Sequence, residues 1–264
     1  MEKMQLEEYK RWFTEFVAGY YADGDGFLNQ NINLKECHTH RVCKEMRELA
    51  AALEMSCSDS FLAEAIALFH DLGRFPQFKR YRTYKDTVSE NHCLLSLNVL
   101  SAHCLLNNLP AEERAIIKKA VEFHGALKLP LLDDRTLHFA RMIRDTDKLD
   151  IYNLLVQNYR ILTETPDQFK WELEFPDSPE CNSQIVEALL NNSLIDYRQI
   201  RTLTDAKLLQ LGWVFDVYFD YTLQQIRDRG YLKALIRFLP NTNSTNTVIK
   251  HIETYVETRL AGGS

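Results

Sequence analysis

Apolar residues recur at spacings of three and four along almost the whole of this 264-residue chain, which is the period that an α-helix imposes on its buried face. The alternating pattern that is typical of strands is scarce. Ser58 and Ser89 are predicted to be N-caps, and Pro110 suits a first helical turn, where its missing N–H is not needed. The predicted helices begin near Met4, Leu34, Ser58, Ser89, Pro110, Asp134, Gln184, Asp205 and Asn246. The sequence therefore predicts an all-α fold.

Three segments rich in turn-forming residues are predicted to be loops. They are ADGDGFLNQN (residues 22–31), GRFPQFKRYRTYKDT (73–87) and EFPDSPECN (174–182). The third is the best candidate for an internal boundary. We predict a helical domain over residues 1–160 and a helical extension over 161–264 packed on it, with a single domain as the alternative. The extension carries no recognisable motif, and covering a pocket and self-association are both open as its role.

The composition is that of an ordinary globular chain, with 45% hydrophobic and 26% charged residues. A formal net charge of −6 argues against non-specific binding to nucleic acid or anionic membranes, so neither is expected as a stable partner. No stretch has the length or apolarity of a signal core or a membrane span. The six cysteines form no C-x-x-C pair and are interpreted as small core residues in a reducing environment. A cytoplasmic location is expected.

Several polar residues fall on the apolar faces of predicted helices. Each of these histidines belongs to a different helix: His38, His70, His92 and His124. Asp147 continues a stripe made by Ala140 and Ile143, and Asp71 adjoins His70. A single inward histidine is most often a hydrogen-bonded core residue. Four imidazoles and two carboxylates, however, need many partners at once, because a buried carboxylate is costly unless it is paired or bound to a metal.

A metal site would satisfy all six groups together. Nitrogen and oxygen ligands without thiolate suit Mn, Fe, Co, Ni or Zn and, less well, Mg. Six ligands are more than one tetrahedral ion needs, so two ions about 3.5–4 Å apart, bridged by Asp71, fit better. The sequence thus predicts a divalent transition metal, with two ions in each chain.

The order and local context of these residues resemble the HD-domain superfamily of metal-dependent phosphohydrolases. The motifs that carry the resemblance are HTHRV (38–42), FHDLGR (69–74), ENH (90–92), EFHG (122–125) and RDTDKLDIY (144–152), between about Leu34 and Tyr152. The resemblance implies an α-helical core in which His38, His70, Asp71 and Asp147 hold one metal. It also implies that His92 and His124 occupy the positions where dinuclear members add ligands for a second ion.

One position departs from a branch of that superfamily. Cyclic-dinucleotide phosphodiesterases often have paired histidines where this chain has His124 followed by Gly125. A cyclic dinucleotide is therefore a less expected substrate than another small phosphorylated compound.

Further candidates lie next to the predicted ligands. Two adjacent cations activate a bridging water and neutralise phosphate oxygens, so Asp71 has a catalytic role through the ions that it bridges. Lys148 follows Asp147 and is a candidate to stabilise developing charge, with a surface lysine as the alternative. Arg74 is a second candidate, since HDLGR places it in a predicted loop at the mouth of the pocket.

The same predicted loop carries a cluster of basic and aromatic residues. Arginines suit phosphate contacts, and a tyrosine is able to stack on a base. The candidate substrate-binding residues are Lys79, Arg80, Tyr81 and Arg82. A solvated basic loop is an equal alternative.

The leading hypothesis is a metal-dependent phosphohydrolase that acts on a small phosphorylated substrate, such as a nucleotide or a related phosphomonoester or phosphodiester. A diiron oxygenase built on the HD fold would use the same ligands, and a nucleotide- or metal-sensing regulatory protein is the third alternative. Substrate, metal identity and oligomeric state are left open by the sequence.

Overall fold

The computed structural model describes residues 1–164 and 175–262, and over these residues it contains helices and no strand. The all-α prediction is confirmed. The first seven helices are α1 (Lys3–Ala18), α2 (Gly26–Ala52), α3 (Cys57–Phe69), α4 (Arg74–Tyr81), α5 (His92–Ala102), α6 (Ala111–Phe123) and α7 (Asp134–Glu164). The remaining five are α8 (Ser183–Leu190), α9 (Leu203–Gly212), α10 (Asp220–Asp228), α11 (Tyr231–Ile236) and α12 (Asn243–Gly262). Short 3₁₀ turns lie at Asp86–Val88, Tyr197–Gln199 and Trp213–Asp216.

The described chain divides into two compact units, Met1–Asp147 and Lys148–Ser264, and α7 contributes residues to both. The predicted boundary between residues 160 and 161 stays a prediction. Of the segment 174–182, residue 174 lies outside the described residues, and residues 175–182 form no helix or strand.

In the first unit, α3 is the central helix and packs against α1, α2 and α6. Every residue from Leu62 to Phe69 is buried, because the helix meets neighbours on several sides. Its N-cap is Ser56, whose side chain accepts a hydrogen bond from the Asp59 N–H at 3.1 Å. The prediction of Ser58 as the cap is therefore wrong by two residues. Ser56 and Ser58 lie in the same turn, and both are residues that commonly cap helices.

Helix α2 begins eight residues earlier than the predicted start at Leu34. Asp25 caps it by accepting from the Leu28 N–H at 3.0 Å, and Leu28 and Ile32 are both buried. The prediction of a loop over residues 22–31 is therefore correct only up to the cap.

Helix α4 corrects the prediction of a loop over residues 73–87. Phe75 and Phe78 lie one turn apart and are buried, which gives this short segment an apolar face. Pro76 sits in the first turn, where a missing N–H costs no helical hydrogen bond. The helix ends at Tyr81, and its C-cap residue Arg82 has a left-handed φ of 56°. Sequence reasoning missed α4 because Pro76 and the basic residues masked two buried aromatics.

Helix α5 starts three residues later than predicted. Its cap is Asn91, which accepts from the Leu94 N–H at 3.0 Å, and not Ser89. Ser89 instead ends the preceding 3₁₀ turn and donates to Lys85 O at 2.7 Å.

The second unit has its own apolar core, in which aliphatic residues from α8, α9, α10 and α12 are fully buried. Tyr152 and Tyr159 are also buried there and donate hydrogen bonds to the backbone oxygen and the side-chain oxygen of Gln210. Additional C-terminal helices were predicted and are present, but α10 and α11 were not predicted individually. Helix α11 spans only six residues, too few for a periodic pattern to stand out.

Candidate metal centre

The six predicted ligands lie together in the first unit, although each part of the set comes from a different helix. Their positions are His38 on α2, His70 and Asp71 at the end of α3, His92 at the start of α5, His124 at the end of α6 and Asp147 on α7. All are buried except Asp147, whose side chain is 17% exposed. The predicted ligands are therefore enclosed by protein, and Asp147 is the most exposed of them.

One carboxylate oxygen of Asp71 faces the first group of ligands. Asp71 Oδ2 lies 3.6 Å from His38 Nε2 and 3.6 Å from His70 Nε2. Asp147 Oδ1 completes the group, at 3.2 Å from His38 Nε2 and 3.8 Å from His70 Nε2. We call these four residues the first half of the centre.

The other carboxylate oxygen of Asp71 faces a second group. Asp71 Oδ1 lies 3.8 Å from His92 Nε2 and 3.6 Å from His124 Nε2. These two histidines with Asp71 form the second half of the centre. A carboxylate whose two oxygens face different ligand groups has the geometry of a bridging ligand.

Two of the histidines have a fixed tautomer because their Nδ1 atoms face backbone carbonyls. His70 Nδ1 lies 2.7 Å from Ala67 O, and His124 Nδ1 lies 2.8 Å from Val121 O. A carbonyl oxygen only accepts, so both Nδ1 atoms carry a hydrogen, and in the neutral form both Nε2 atoms present a lone pair to the centre. This is the arrangement of a metal-ligating imidazole that is oriented by its far nitrogen.

The Nε2 atoms of these histidines lie close to one another in pairs. His92 Nδ1 lies 2.6 Å from Asp86 Oδ2 and donates to it, so His92 Nε2 also presents a lone pair. It is 3.1 Å from His124 Nε2, and His70 Nε2 is 3.3 Å from His38 Nε2. In their neutral forms His92 and His124 present lone pairs that repel at this distance unless a proton or a cation lies between them. The same holds for His70 and His38 when the hydrogen of His38 is on Nδ1. The donor set of each half therefore fits a metal ion.

The two carboxylates are kept ionised, as metal ligands must be. Burial raises the pKa of Asp71, but its neighbours Lys35, His70 and Arg74 outweigh burial and hold this pKa well below its usual range. Burial also raises the pKa of Asp147, and a hydrogen bond from His38 together with the nearby His70 lowers it further than burial raises it. Burial lowers the pKa of His70 to about 4, which favours its neutral, ligating form.

A buried thiol lies beside the second half of the centre. Cys93 Sγ is 3.4 Å from His92 Nε2 and 3.6 Å from His124 Nδ1. Burial raises the pKa of Cys93, but the charge of His124 outweighs it and lowers this pKa to about 6. Burial lowers the pKa of His124, while Cys93 and Asp71 raise it well above its ordinary value. The two shifts thus favour a thiolate on Cys93 beside a protonated His124. This buried sulfur was interpreted from sequence only as a core residue.

Two cations contact Asp71, and one of them was missed by sequence reasoning. Lys35 Nζ lies 2.8 Å from Asp71 Oδ2, and Arg74 Nε lies 3.4 Å from Asp71 Oδ1. Lys35 is three residues before His38 on α2 and so shares its face, which is a signal that the sequence did contain. Arg74, a predicted candidate, does lie at the centre.

Asp86 is a second residue that sequence reasoning missed. Its Oδ2 orients His92, and its Oδ1 accepts from Arg74 Nη1 at 3.0 Å and from Gln77 Nε2 at 2.9 Å. Although burial raises the pKa of Asp86, the hydrogen bond and charge of His92 lower it to about 2. Asp86 and His92 are six residues apart across a 3₁₀ turn, a spacing that no helical period relates.

Replacing Asp86 with asparagine is expected to weaken binding of an ion at the second half by about 10- to 100-fold, because the charged partner of His92 is lost. Titration of metal-free protein with Mn²⁺ or Co²⁺ measures this. Glu90→Gln is the matched control, since Glu90 lies in the same segment but pairs with Arg80 and Tyr81. Equal titration curves for Asp86→Asn and wild type would contradict the orienting role.

The close approach of α5 to the end of α3 positions His92. A Cβ atom on Gly73 would lie 2.3 Å from His92 O and 2.5 Å from Ser96 N, so no larger residue fits. Ser96 Oγ accepts from the Gly73 N–H and donates to His70 O, both at 2.8 Å. These contacts fix the ligands of the two halves relative to each other.

Arg144 holds the segment that follows His124. Its Nη1 donates to His124 O at 3.0 Å and to Phe123 O at 3.3 Å, and it also contacts Ala126 O. A cation at the carbonyl end of a helix is stabilising, so Arg144 caps α6 where the helix presents its ligand.

Lys148, predicted to stabilise charge, belongs to the unit Lys148–Ser264. Its ammonium group lies 2.6 Å from Asp216 Oδ2, and both side chains are mostly buried. A catalytic role for Lys148 stays a prediction.

Lys79, predicted to bind substrate, lies on α4 and not in a loop. Its Nζ donates to Gly19 O at 3.3 Å and lies 5.2 Å from the centre of the Tyr20 ring. It borders an open groove of about 620 Å³. The groove is lined by Phe16, Gly19, Tyr20, Pro76, Lys79, Arg80 and His103, none of which is a predicted metal ligand.

The other members of the basic cluster pair with acidic side chains. Arg80 Nη1 lies 2.9 Å from Glu90 Oε1, which also accepts from the hydroxyl group of Tyr81. Arg82 Nη2 lies 2.8 Å from Asp25 Oδ2. Substrate binding by these residues stays a prediction.

The sequence of residues 36–152 matches the model of the HD domain family. Among curated proteins and solved structures, none was found that matches the chain significantly. In the part of the chain that the structure describes, no helix combines the length and apolarity needed to cross a membrane.

Proposed function

We propose that this chain, which contains an HD domain, is a metal-dependent phosphohydrolase that acts on a small phosphorylated substrate such as a nucleotide or a related phosphomonoester or phosphodiester. The HD domain is characteristic of a superfamily of metal-dependent hydrolases. The observation that carries the proposal is Asp71, whose two carboxylate oxygens face two separate groups of ligands.

In this proposal the first ion is held by His38, His70, Asp71 and Asp147. The second ion is held by His92 and His124, with Asp71 as the shared ligand. All six contribute nitrogen or oxygen, which suits Mn, Fe, Co, Ni or Zn, with Mg a weaker match. When bound, such a pair of ions supplies an activated water at neutral pH and neutralises phosphate oxygens.

Residues outside the ligand set would orient the ligands, stabilise charge on the phosphoryl group and bind the rest of the substrate. Asp86 orients His92, and Arg74 carries a guanidinium group that contacts both Asp71 and Asp86 and is 15% exposed. We propose that Arg74 and Lys148 stabilise charge that develops on the phosphoryl group. We further propose that Lys79, Arg80, Tyr81 and Arg82 bind the remainder of the substrate.

The first experiment measures metal content and identity in chain purified without added metal, followed by assays on a panel of phosphomonoesters and phosphodiesters. We expect two ions per chain. We also expect release of phosphate or of a phosphomonoester without oxygen consumption. Two iron ions with oxygen consumption and no hydrolysis would favour the diiron oxygenase. Tight binding of a nucleotide or a metal without turnover would favour a sensor.

Variants of the second half test the number of ions. His92→Ala and His124→Ala are each expected to reduce the metal content from two ions to one, because each removes one of the two histidines that face Asp71 Oδ1. Elemental analysis of each purified variant is the measurement. His40→Ala is the control, since His40 is an exposed histidine on the opposite side of α2 from His38. Full metal content and activity in both variants would overturn the dinuclear site.

A further inference from the structure

The two cations at Asp71 differ in how firmly they are held. Arg74 has partners besides Asp71, since its Nη1 donates to Asp86 Oδ1 at 3.0 Å, Tyr84 O at 2.7 Å and Gln77 Oε1 at 2.9 Å. Lys35 has fewer: within the described residues its ammonium group contacts Asp71 Oδ2 and lies 5.4 Å from the centre of the Tyr84 ring. Lys35 is thus held at the centre mainly by the charge of Asp71.

That charge is the one that bound metal ions would use. A carboxylate that bridges two divalent cations has its negative charge neutralised by them, so its attraction for Lys35 largely disappears. The Lys35 ammonium group would then stand beside a strongly positive centre without a compensating anion. Its side chain is 17% exposed and its four-carbon stem is flexible, so it is able to turn toward a ligand that enters the centre.

We propose that Lys35 binds the phosphoryl group of the substrate and selects for dianionic phosphomonoesters over phosphodiesters, an inference that rests on the proposed function. In this inference Lys35 binds the substrate phosphate in place of Asp71. The Tyr84 ring lies beside its ammonium group, with 5.4 Å between Nζ and the ring centre. The same lysine therefore neutralises Asp71 when the centre is empty and binds substrate when it is loaded.

The balance of charge gives the substrate class. Two divalent ions, Lys35 and Arg74 exceed the charges of Asp71, Asp147 and Asp86 by about three positive units, with the histidines neutral. A phosphomonoester contributes two negative charges at neutral pH and a phosphodiester contributes one. In an enclosed site an excess of charge is costly, so the dianion is favoured.

The test compares Lys35→Met, Lys35→Arg and Lys35→Gln with wild type, after each protein has been loaded with Mn²⁺ and its metal content has been measured. Binding of inorganic phosphate is followed by calorimetry, and kcat/KM is measured for 4-nitrophenyl phosphate and bis(4-nitrophenyl) phosphate. Lys44→Met is the matched control, because Lys44 lies on the same helix and pairs with Glu48 on the surface. Lys148→Met is included because Lys148 is the other candidate lysine.

Lys35→Met is expected to keep two ions and to raise the Kd for phosphate about tenfold or more, the effect of losing one hydrogen bond between charged groups. Lys35→Arg is expected to remain within about threefold of wild type, because it retains the charge. The monoester is expected to lose more kcat/KM than the diester, and Lys44→Met is expected to change neither quantity.

Three outcomes would overturn the inference. Phosphate binding equal to wild type in a fully loaded Lys35→Met is the first. In the second outcome, Lys35→Met loses metal, but the chains that stay loaded bind phosphate with unchanged affinity. Lys35 would then serve only as a partner of Asp71. The third is a loss of phosphate binding in Lys148→Met but not in Lys35→Met. Failure of the proposed function differs from all three, because wild type would then bind phosphate at the loaded centre without hydrolysing any ester.

Discussion

Asp71→Asn is expected to lower kcat by about 10³-fold or more and to leave fewer than one ion per chain. Asp71 faces both halves of the centre, with one oxygen 3.6 Å from His70 Nε2 and the other 3.6 Å from His124 Nε2. An asparagine offers a single oxygen and no charge, so it serves at most one half. It also leaves the cations Lys35 and Arg74 without their shared anion.

Elemental analysis and steady-state kinetics on the same preparation check this prediction. Asp23→Asn is the control, because Asp23 is exposed in the turn before α2 and the same change of charge there touches no ligand. If Asp71→Asn bound two ions with wild-type affinity, Asp71 could not be the shared ligand, and two independent sites would have to replace the bridged pair.

Gly73→Ala is expected to destabilise the first unit by about 3 kcal/mol or more, at the upper end of the range for overpacking. The added Cβ atom would meet two backbone atoms of α5, His92 O at 2.3 Å and Ser96 N at 2.5 Å. Backbone cannot move aside as a flexible side chain does, so α5 must shift away from the end of α3. Because His92 is the first residue of α5, this shift also displaces a predicted ligand of the second half.

Denaturant unfolding of the metal-free protein measures the loss of stability, and metal titration measures the loss of metal affinity at the second half. Gly26→Ala is the matched control: Gly26 is the first residue of α2 and a Cβ atom there meets nothing within 4 Å. It should leave stability unchanged or raise it slightly, since alanine is the better helix former. Wild-type stability in Gly73→Ala would mean that α3 and α5 are not packed this closely.

Much of the centre could be predicted from the sequence because the helical period sorts side chains by face. His38, His70, His92 and His124 each continue an apolar stripe, and all four are buried at the centre. His40, only two residues from His38, falls on the other face and is exposed. Period and local sequence context were sufficient for these assignments, since both are properties of single helices.

The partners of these ligands could not be predicted in the same way. Asp86 reaches His92 across a 3₁₀ turn and a change of direction, and no periodicity relates the two residues. Lys35 shares a face with His38, but its contact with Asp71 depends on how α2 packs against α3. Helix α4 was predicted as a loop because of its proline and basic residues, but burial of Phe75 and Phe78 outweighs their preference and makes the segment helical.

The all-α fold and the inward direction of these histidines and aspartates follow from residue spacing along single helices, so both could be read from the amino-acid sequence. The sequence does not show how the predicted ligands divide between the two oxygens of Asp71, or which lysine lies beside it. That division depends on distances between helices. Those distances are set by packing contacts such as that of Gly73 with the first turn of α5, which no single helix contains.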